Sequence, residues 1–505
     1  MRPPSFLLRA LALLLLLPRL PAVADGSPEP ADIAWLRRDG FGLDTAAVDA
    51  YRSLGRQRML DLQLQDRMPG ALPPTVAGPL ADNPAMTATA EERITQWHQE
   101  EQRLQSLPEG EAKAAARNEL QRQGNRLAQQ ARAALLLQAV YGPNQLKEQM
   151  VWFWLNHFSV YAPKGRIRWE VGDYAEHVIR PHALGRFRDL VLATLKSPAM
   201  LEYLDNVQNA KGHVNENYAR ELLELHTLGV DAGYTQQDVQ QLALILTGVG
   251  LAPLDRKPRQ LPPDMAPLLV REGLFEFHPD RHDFRDKVLL GQPIRGRGFA
   301  EVEEAVDRIV REPACARFLS RKLAEYFVGD RPPPALVERM TLAFRRSGGE
   351  IAPVLRTLFE SSELLSGAKF KDPFQFVVSA VRLAYDGRPV LNPLPMIHWL
   401  HMLGEPLFGR ITPDGWPLDA ASWSSSGQME TRFAVARAIG NGGPQLFTPE
   451  GGKERAPGFP LLTSRLYYAA VEPYLSAPTR SGLAQAQSQG EWNGLLLSSP
   501  DFAYR

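Results

Sequence analysis

The chain has 505 residues, 44% hydrophobic and 23% charged, with Lys+Arg and Asp+Glu equal at 57 each. A chain of that length can bury a large core and has room for several domains. Its even charge balance excludes the global basic field that holds a nucleic-acid backbone, so no nucleic-acid partner is expected.

In "MRPPSFLLRALALLLLLPRLPAVADG", Arg2 and Arg9 precede an apolar run from Ala10 to Leu17, and Ala22-Val23-Ala24 follows as a small-x-small site. The pattern predicts a secretory signal peptide over residues 1–24, cut after Ala24. The run is about half of the roughly 20 residues a membrane span needs. The expected product is exported, periplasmic or extracellular, with no transmembrane segment after cleavage. With Cys315 as its only cysteine it must stand on its core, without an internal disulfide.

Residues 25–90 open with "ADIAWLRRDGFGLD" and "TAAVDAYRSLGRQRMLDLQL", read as a short helix, a glycine turn and a second helix. Asp66 to Ala85 is rich in Pro and Gly and is expected to be loop. Residues 91–140 are rich in Gln, Glu, Arg and Ala and broken by "LPEG" at Leu107 to Gly110, which predicts a hairpin of two helices with solvated charged faces. The central region, 141–300, and the C-terminal region, 301–505, are dominated by helical periodicity. The phrases "LKSPAM", "REPACA", "ESSELL" and "SSPDFA" recur at irregular spacing and mark helix-to-helix corners, with Ser197 and Ser499 as N-caps before proline. Strand signals are confined to "GLFEF" and "KVLLGQPI", which can pair as a small ribbon around "HPDRHDFRD". The expected fold is mainly α, a multi-helix globular body with long loops and at most a small β-ribbon.

The densest chemistry lies in "NENYARELLELHTLGVDAGYTQQDV", from Asn215. Asn215 as N-cap and Gly229 as C′ predict a helix from about Glu216 to Leu228. Tyr218, Ala219, Leu222, Leu223 and His226 share one face, and Asn217, Arg220, Glu221, Glu224 and Thr227 form a stripe on the other. Leucines flank that stripe, so it is expected to be shielded or to line a cavity. Shielded carboxylates must be paired, protonated or metal-bound. Arg220 can bridge Glu216 and Glu224 at i, i+4, i+8, which leaves Glu221 without a local partner. Two readings stay open, a buried Glu–Arg clamp and a metal-binding or acid–base site. Thr235 and Asp238 read as a capping box.

Further candidates surround this helix. In "MVWFWLNHFSVYA", His157 shares a face with Met150, Phe153 and Trp154, as either a core residue or a ligand, and Asn156 lies on an adjacent face. "FHPDRHD" supplies His278, Asp280, His282 and Asp283. Imidazoles and carboxylates suit zinc, iron or manganese, though this spacing matches no standard ligand motif. "TPDGWPLDAASWSSSG" from Thr412 is a turn anchored by Trp416 and Trp423, or else a cover over a cleft. HExxH, CxxC, GxSxG, P-loop and CxxCH patterns are absent.

"WFWLNHFSV", "LATLKSPAMLEYLDN", the central motif, "LTGVG", "HDFRDKVLLG", "KDPFQFVVSAVRLA" and "DGWPLDAASW" occur in an order that resembles the bacterial family catalogued as domain of unknown function 1800. The likeness runs from about Ala31 to the end. It implies no agreed activity; members are large, often exported, and often found beside an exported family resembling alkaline phosphatases. Matching positions are Asn156, His157, Phe158, Asp205, Asn206, Asn215, Glu216, Asn217, Arg220, Glu221, Glu224, His282, Asp283 and Lys287. Two departures stand out: His226 replaces an aromatic residue, and "LTGVG" replaces Thr-Gly-Trp.

The functional expectation is an exported enzyme, hydrolytic or oxidative. Its catalytic residues would be Glu221, Glu224, Arg220, His157 and Asn156, with Glu221, Glu224, His157, His282 and Asp283 able to hold a divalent metal. The alternative is a non-enzymatic binding or assembly protein, partner of another exported protein. Its Glu–Arg cluster would then be a structural lock, and the 91–140 hairpin its interaction arm.

Overall fold

Proline starts helices in this chain more often than it interrupts them. Within the stretch expected as loop, Pro74 opens helix Pro74–Ala81 and Pro84 opens helix Pro84–Thr87, both with proline in the first turn where no N–H is required. The computed structural model describes residues 28–254, 261–449, 452 and 460–505. The segment read as a signal peptide lies outside the described residues. Helix makes up 63% of the structure and the sheets are small and antiparallel, so the fold is mainly α. Among the described residues, no helix is long and apolar enough to cross a membrane.

The N-terminal pair forms as expected, Pro30–Asp39 and Thr45–Leu64, as does the hairpin of Ala90–Ser106 and Glu111–Tyr141. Helix Phe299–Arg311 shows how pattern becomes packing. Phe299, Val302, Val306 and Ile309 recur at helical spacing and are buried, while Glu304 and Arg308 pair on the outer side. Of the two serine caps, Ser499 accepts from the Phe502 N–H at 3.2 Å, whereas Ser197 makes no side-chain cap.

The two strand segments do not pair with each other. Phe275–Phe277 is the middle strand of a three-stranded sheet, flanked by Val249–Leu251 and Val270–Glu272. "KVLLGQPI" instead folds on itself, pairing Lys287–Leu289 with Gln292–Ile294. Its turn residues, Leu290 and Gly291, have φ of 51° and 74°, the left-handed pair that a tight hairpin requires. A single apolar core runs through the chain from Ile33 to Phe502. A satellite of Ala90, Ile94, Trp169 and Leu274 seats the hairpin, and another joins Phe370, Trp423 and Ala503.

Candidate functional site

The motif helix changes pitch at its centre. Asn217–Glu221 is α-helical, and Leu222–Thr227 widens into a π-turn. Thr227 Oγ1 donates to the Leu222 carbonyl at 2.5 Å, and Gly229, at φ 90°, closes the end. Asn215 Oδ1 accepts from the Asn217 N–H at 2.9 Å, as its position predicts. Tyr218, Ala219, Leu222, Leu223 and His226 are buried, the face expected from the spacing. Single π-turns are costly and collect at functional sites, because the extra residue re-aims the side chains around it.

The opposite stripe is only partly interior: Thr227 is buried, Asn217 is exposed, and Arg220, Glu221 and Glu224 lie between. Arg220 reaches Glu216 at 3.1 Å and Glu224 at 3.5 Å, with 37%, 34% and 27% of the three side chains exposed. Gln236 joins the clamp, accepting from Arg220 at 2.9 Å and donating to Glu216 at 2.7 Å. Of the two expectations, a shielded stripe or a cavity wall, shielding is corrected for the charged residues, which are partly exposed, and such pairs contribute roughly 0–1 kcal/mol each. The clamp joins the motif helix to the next helix, Gln236–Ile245, which Thr235 and Asp238 cap reciprocally.

Glu221 stands apart from the clamp. It is half-buried, and no described residue donates a hydrogen bond to it. Burial raises its pKa, Glu224 and Asp414 raise it further, and Arg220 opposes them. Asp414 comes from the 410–416 loop, held by Arg410 at 2.7 Å and Thr412 at 2.6 Å. Asn156 fixes that loop with both ends of its amide: Oδ1 accepts from the Trp416 N–H at 2.6 Å and Nδ2 donates to the Trp416 carbonyl at 3.0 Å. Gly415, at φ 76°, packs so closely on Asn156 that a Cβ would collide with the Asn156 carbonyl. Asn156 is therefore a positioning residue whose polar atoms are already committed. Tyr203 anchors the same loop by donating to the Ile411 carbonyl at 2.8 Å.

On the buried face of the motif helix lies a histidine pair, His157 and His226, with ring centroids 6.0 Å apart. His157, at the end of helix Gln145–His157, donates from Nε2 to the His226 carbonyl at 2.9 Å, and its Nδ1 accepts from Lys322 Nζ at 3.0 Å. Those contacts fix one neutral tautomer. Burial, then the Lys322 charge and His226, hold its pKa well below the ordinary value. His226 is packed against Phe158 with ring centroids 5.0 Å apart, and neither ring nitrogen has a partner. Burial and Lys322 push its pKa down to about 3. Lys322, from helix Pro313–Phe327, is brought down to about 8 by burial, against the raising effects of Glu325 and Asp414.

Lys322, Asp414 and Tyr203 are site residues that sequence reasoning missed. Lys322 sits in an ordinary amphipathic helix with no local signal. Asp414 was within sight in the "DGWPLDAASW" match, but only tertiary packing brings it to Glu221.

His282 and Asp283 belong to a different cluster. His282 is sealed, with Nδ1 on the Thr247 carbonyl at 2.7 Å and Nε2 on Glu301 Oε1 at 2.7 Å. Lys287 donates to Glu301 Oε2 at 2.6 Å and to the Asp283 carbonyl. Burial works to raise the Glu301 carboxyl, but the hydrogen bonds and charges of His282 and Lys287 hold it below the ordinary value. Arg285 clamps Asp283 and holds it down to about 2. Glu221, Glu224, His157, His282 and Asp283 thus do not meet as one ligand set. Among the described residues, no group of three or more His, Cys, Asp or Glu is placed to hold a metal ion. The physical reason is that both ring nitrogens of His282 are held by Thr247 and Glu301, and the Asp283 carboxylate is held by Arg285. His278, from the same loop, pairs with Asp280.

Residues 34–504 match the family described as "Protein of unknown function (DUF1800)". No curated protein and no solved structure matches the chain.

Proposed function

We propose that this chain, which belongs to the protein family of unknown function DUF1800, carries an acid–base catalytic site where half-exposed Glu221 lies beside Asp414, whose charge also reaches Lys322. One observation carries the reading. Glu221 is a half-buried carboxylate with a raised pKa and no structural hydrogen bond, beside the charges of Glu224 and Asp414. Groups perturbed in this way collect where protons are transferred. Glu221 takes or gives the proton. Lys322, fixed on His157, supplies positive charge or a proton near neutral pH. Asn156 and Tyr203 hold the Asp414 loop in place, and Arg220 orients an acidic substrate group at the rim. Hydrolysis is the reaction class we assign first, with water as the proton donor to Glu221.

The test is a panel of chromogenic esters, phosphoesters, glycosides and peptides, assayed with wild type, Glu221→Gln and Lys322→Met side by side. The expected result is a turnover that falls by about 10²-fold or more in Glu221→Gln, the usual contribution of one acid–base group. If every turnover of the wild type persists in Glu221→Gln, the reading fails.

Export of the chain is proposed with it, supported by the signal pattern of residues 1–24. A second reading, binding or assembly with another exported protein, is favoured by the hairpin. Helix Ala90–Ser106 buries only Ala90, Ile94 and Leu104 and leaves a charged outer face. Reversing the charges of Glu100, Glu101 and Arg103 should then weaken capture of the partner; unchanged capture counts against it.

A further inference from the structure

A separate cluster has chemistry that the fold does not use. Lys371 precedes helix Pro373–Tyr385, is 3% exposed, and rests its Nζ 3.6 Å from the ring centroid of Phe502. Among the described residues, its amine makes no ion pair and no oxygen accepts from it. After burial, the charges of Arg37, Arg505 and Arg432 act to remove its proton, and its pKa lies well below the ordinary value.

The surrounding guanidinium groups are themselves short of acceptors. Arg432 donates from Nη2 to the Lys371 carbonyl at 2.6 Å, and Arg505 from Nη2 to the Tyr326 carbonyl at 2.5 Å. Nε and Nη1 of both are buried without a partner. Two carboxylates act on Arg432 and Arg505, but each is engaged by backbone: Asp372 accepts from Gln375 N–H and Glu405 from Phe374 N–H, both at 2.7 Å. Burial raises both, which weakens them as counter-charges. Leaving cationic donors buried and unpaired costs far more than leaving a neutral group so.

Lys371 also lines a cavity of about 40 Å³, walled mainly by apolar residues such as Leu43, Leu383, Val471 and Leu496, with Arg37 and Asp501 as its other charged lining. A site of that size takes a molecule of a few atoms, since one water needs at least roughly 10–15 Å³ by the same measure. A sugar, peptide or ester does not fit; carbon dioxide does.

We propose that Lys371 is a carbamylation site. The lone pair of the neutral amine attacks the carbon of CO₂ and forms an N–C bond. One C=O π pair moves onto oxygen, and a proton leaves the nitrogen to solvent, so that RNH₂ + CO₂ gives RNHCOO⁻ + H⁺. The step consumes no oxidant or reductant. The carbamate supplies an anion to the unpartnered donors of Arg432 and Arg505, and the field that keeps the amine neutral also stabilises the product. The product would fasten the segment carrying Phe502 and Arg505 to the start of helix Pro373–Tyr385.

The test is carbon NMR of the full-length protein equilibrated at fixed pH with ¹³C-labelled bicarbonate. The expected spectrum has one protein-bound carbamate carbonyl resonance, lost in Lys371→Met and kept in Lys322→Met. In parallel, the folded wild type is alkylated with a trialkyloxonium salt and digested, and the labelled carbamate ester is located by peptide mass. That measurement keeps the proposal testable if Lys371→Met does not fold. No carbamate resonance in the wild type, a resonance that survives Lys371→Met, or a trapped ester confined to other lysines each overturns the proposal.

Discussion

His226 offers the sharpest test of the energetics around the candidate site. It is 1% exposed, and both ring nitrogens lack a partner. A buried polar group without its hydrogen bond costs roughly 1–3 kcal/mol. His226→Phe removes both orphans and keeps a flat ring beside Phe158, so the variant should be more stable than wild type at neutral pH by about 1–3 kcal/mol. The acid side adds a second signature. The folded pKa of about 3 lies below the ordinary 6.5, so between those values the unfolded chain binds the proton and the folded one does not. Stability contributed by the neutral ring is therefore complete above the unfolded value and is lost as pH falls below it, at about 1.4 kcal/mol per pH unit. By about pH 4.5 the stability gap between the His226→Phe variant and wild type should widen by a further ~2–3 kcal/mol. Guanidinium unfolding of both proteins at several pH values measures the difference, and contributions from groups that do not interact with His226 cancel in it. A variant less stable than wild type at pH 7, with an unchanged acid limb, would refute the account.

Asn156→Ala should release the 410–416 loop, because two hydrogen bonds to the Trp416 backbone vanish at about 1 kcal/mol each. Faster amide hydrogen exchange at Trp416, with the core unchanged, is the observable. Gly415→Ala forces a Cβ against the Asn156 carbonyl at a left-handed φ. Its expected cost is about 1–3 kcal/mol, read as a lower melting temperature and local exchange at the same loop. Glu301→Gln breaks a pair whose partners are sealed, leaving the Lys287 charge without a counter-ion. A loss of about 3–5 kcal/mol in denaturant unfolding is expected, far more than any member of the Arg220 clamp should cost.

What the sequence could and could not reveal follows from the range of the forces. The apolar face of the motif helix, the Thr235–Asp238 box and the hairpin of 91–140 depend on neighbours three or four residues away, and all were legible. The π-turn was not, since the period of Tyr218, Leu222 and Leu223 fits an α-helix equally well. Nor was the exposure of the clamp, because leucines beside Glu224 say that one side is covered without saying how far the cover extends. The division of "HPDRHDFRDKVLLG" from the motif helix was hidden for a different reason. Glu301, the residue that claims His282, lies in the next helix and looks from sequence like an ordinary first-turn acid.

The positions shared with the family pattern can be sorted by what their polar atoms already do. Asn156 holds Trp416, Asn206 donates to the Val249 carbonyl at 2.9 Å, and Asn217 to the Leu204 carbonyl at 3.1 Å. Asp205 pairs with Lys164 at 2.7 Å, while His282, Asp283 and Lys287 close their own cluster. His157 is fixed at both nitrogens, and Glu216 and Glu224 share Arg220. Glu221 alone of these ionisable side chains has no structural partner among the described residues, and its charge is disfavoured by burial and by Glu224 and Asp414. A carboxyl raised above its unfolded value stabilises the fold only at pH below that value and opposes it once ionised. Glu221→Gln should therefore be at least as stable as wild type at neutral pH, in contrast to Asn156→Ala and Glu301→Gln. A residue that costs stability where it stands is the expected mark of function over folding. Thermal unfolding of the three variants together decides it: a loss in Glu221→Gln of more than about 1 kcal/mol would make Glu221 one more structural residue.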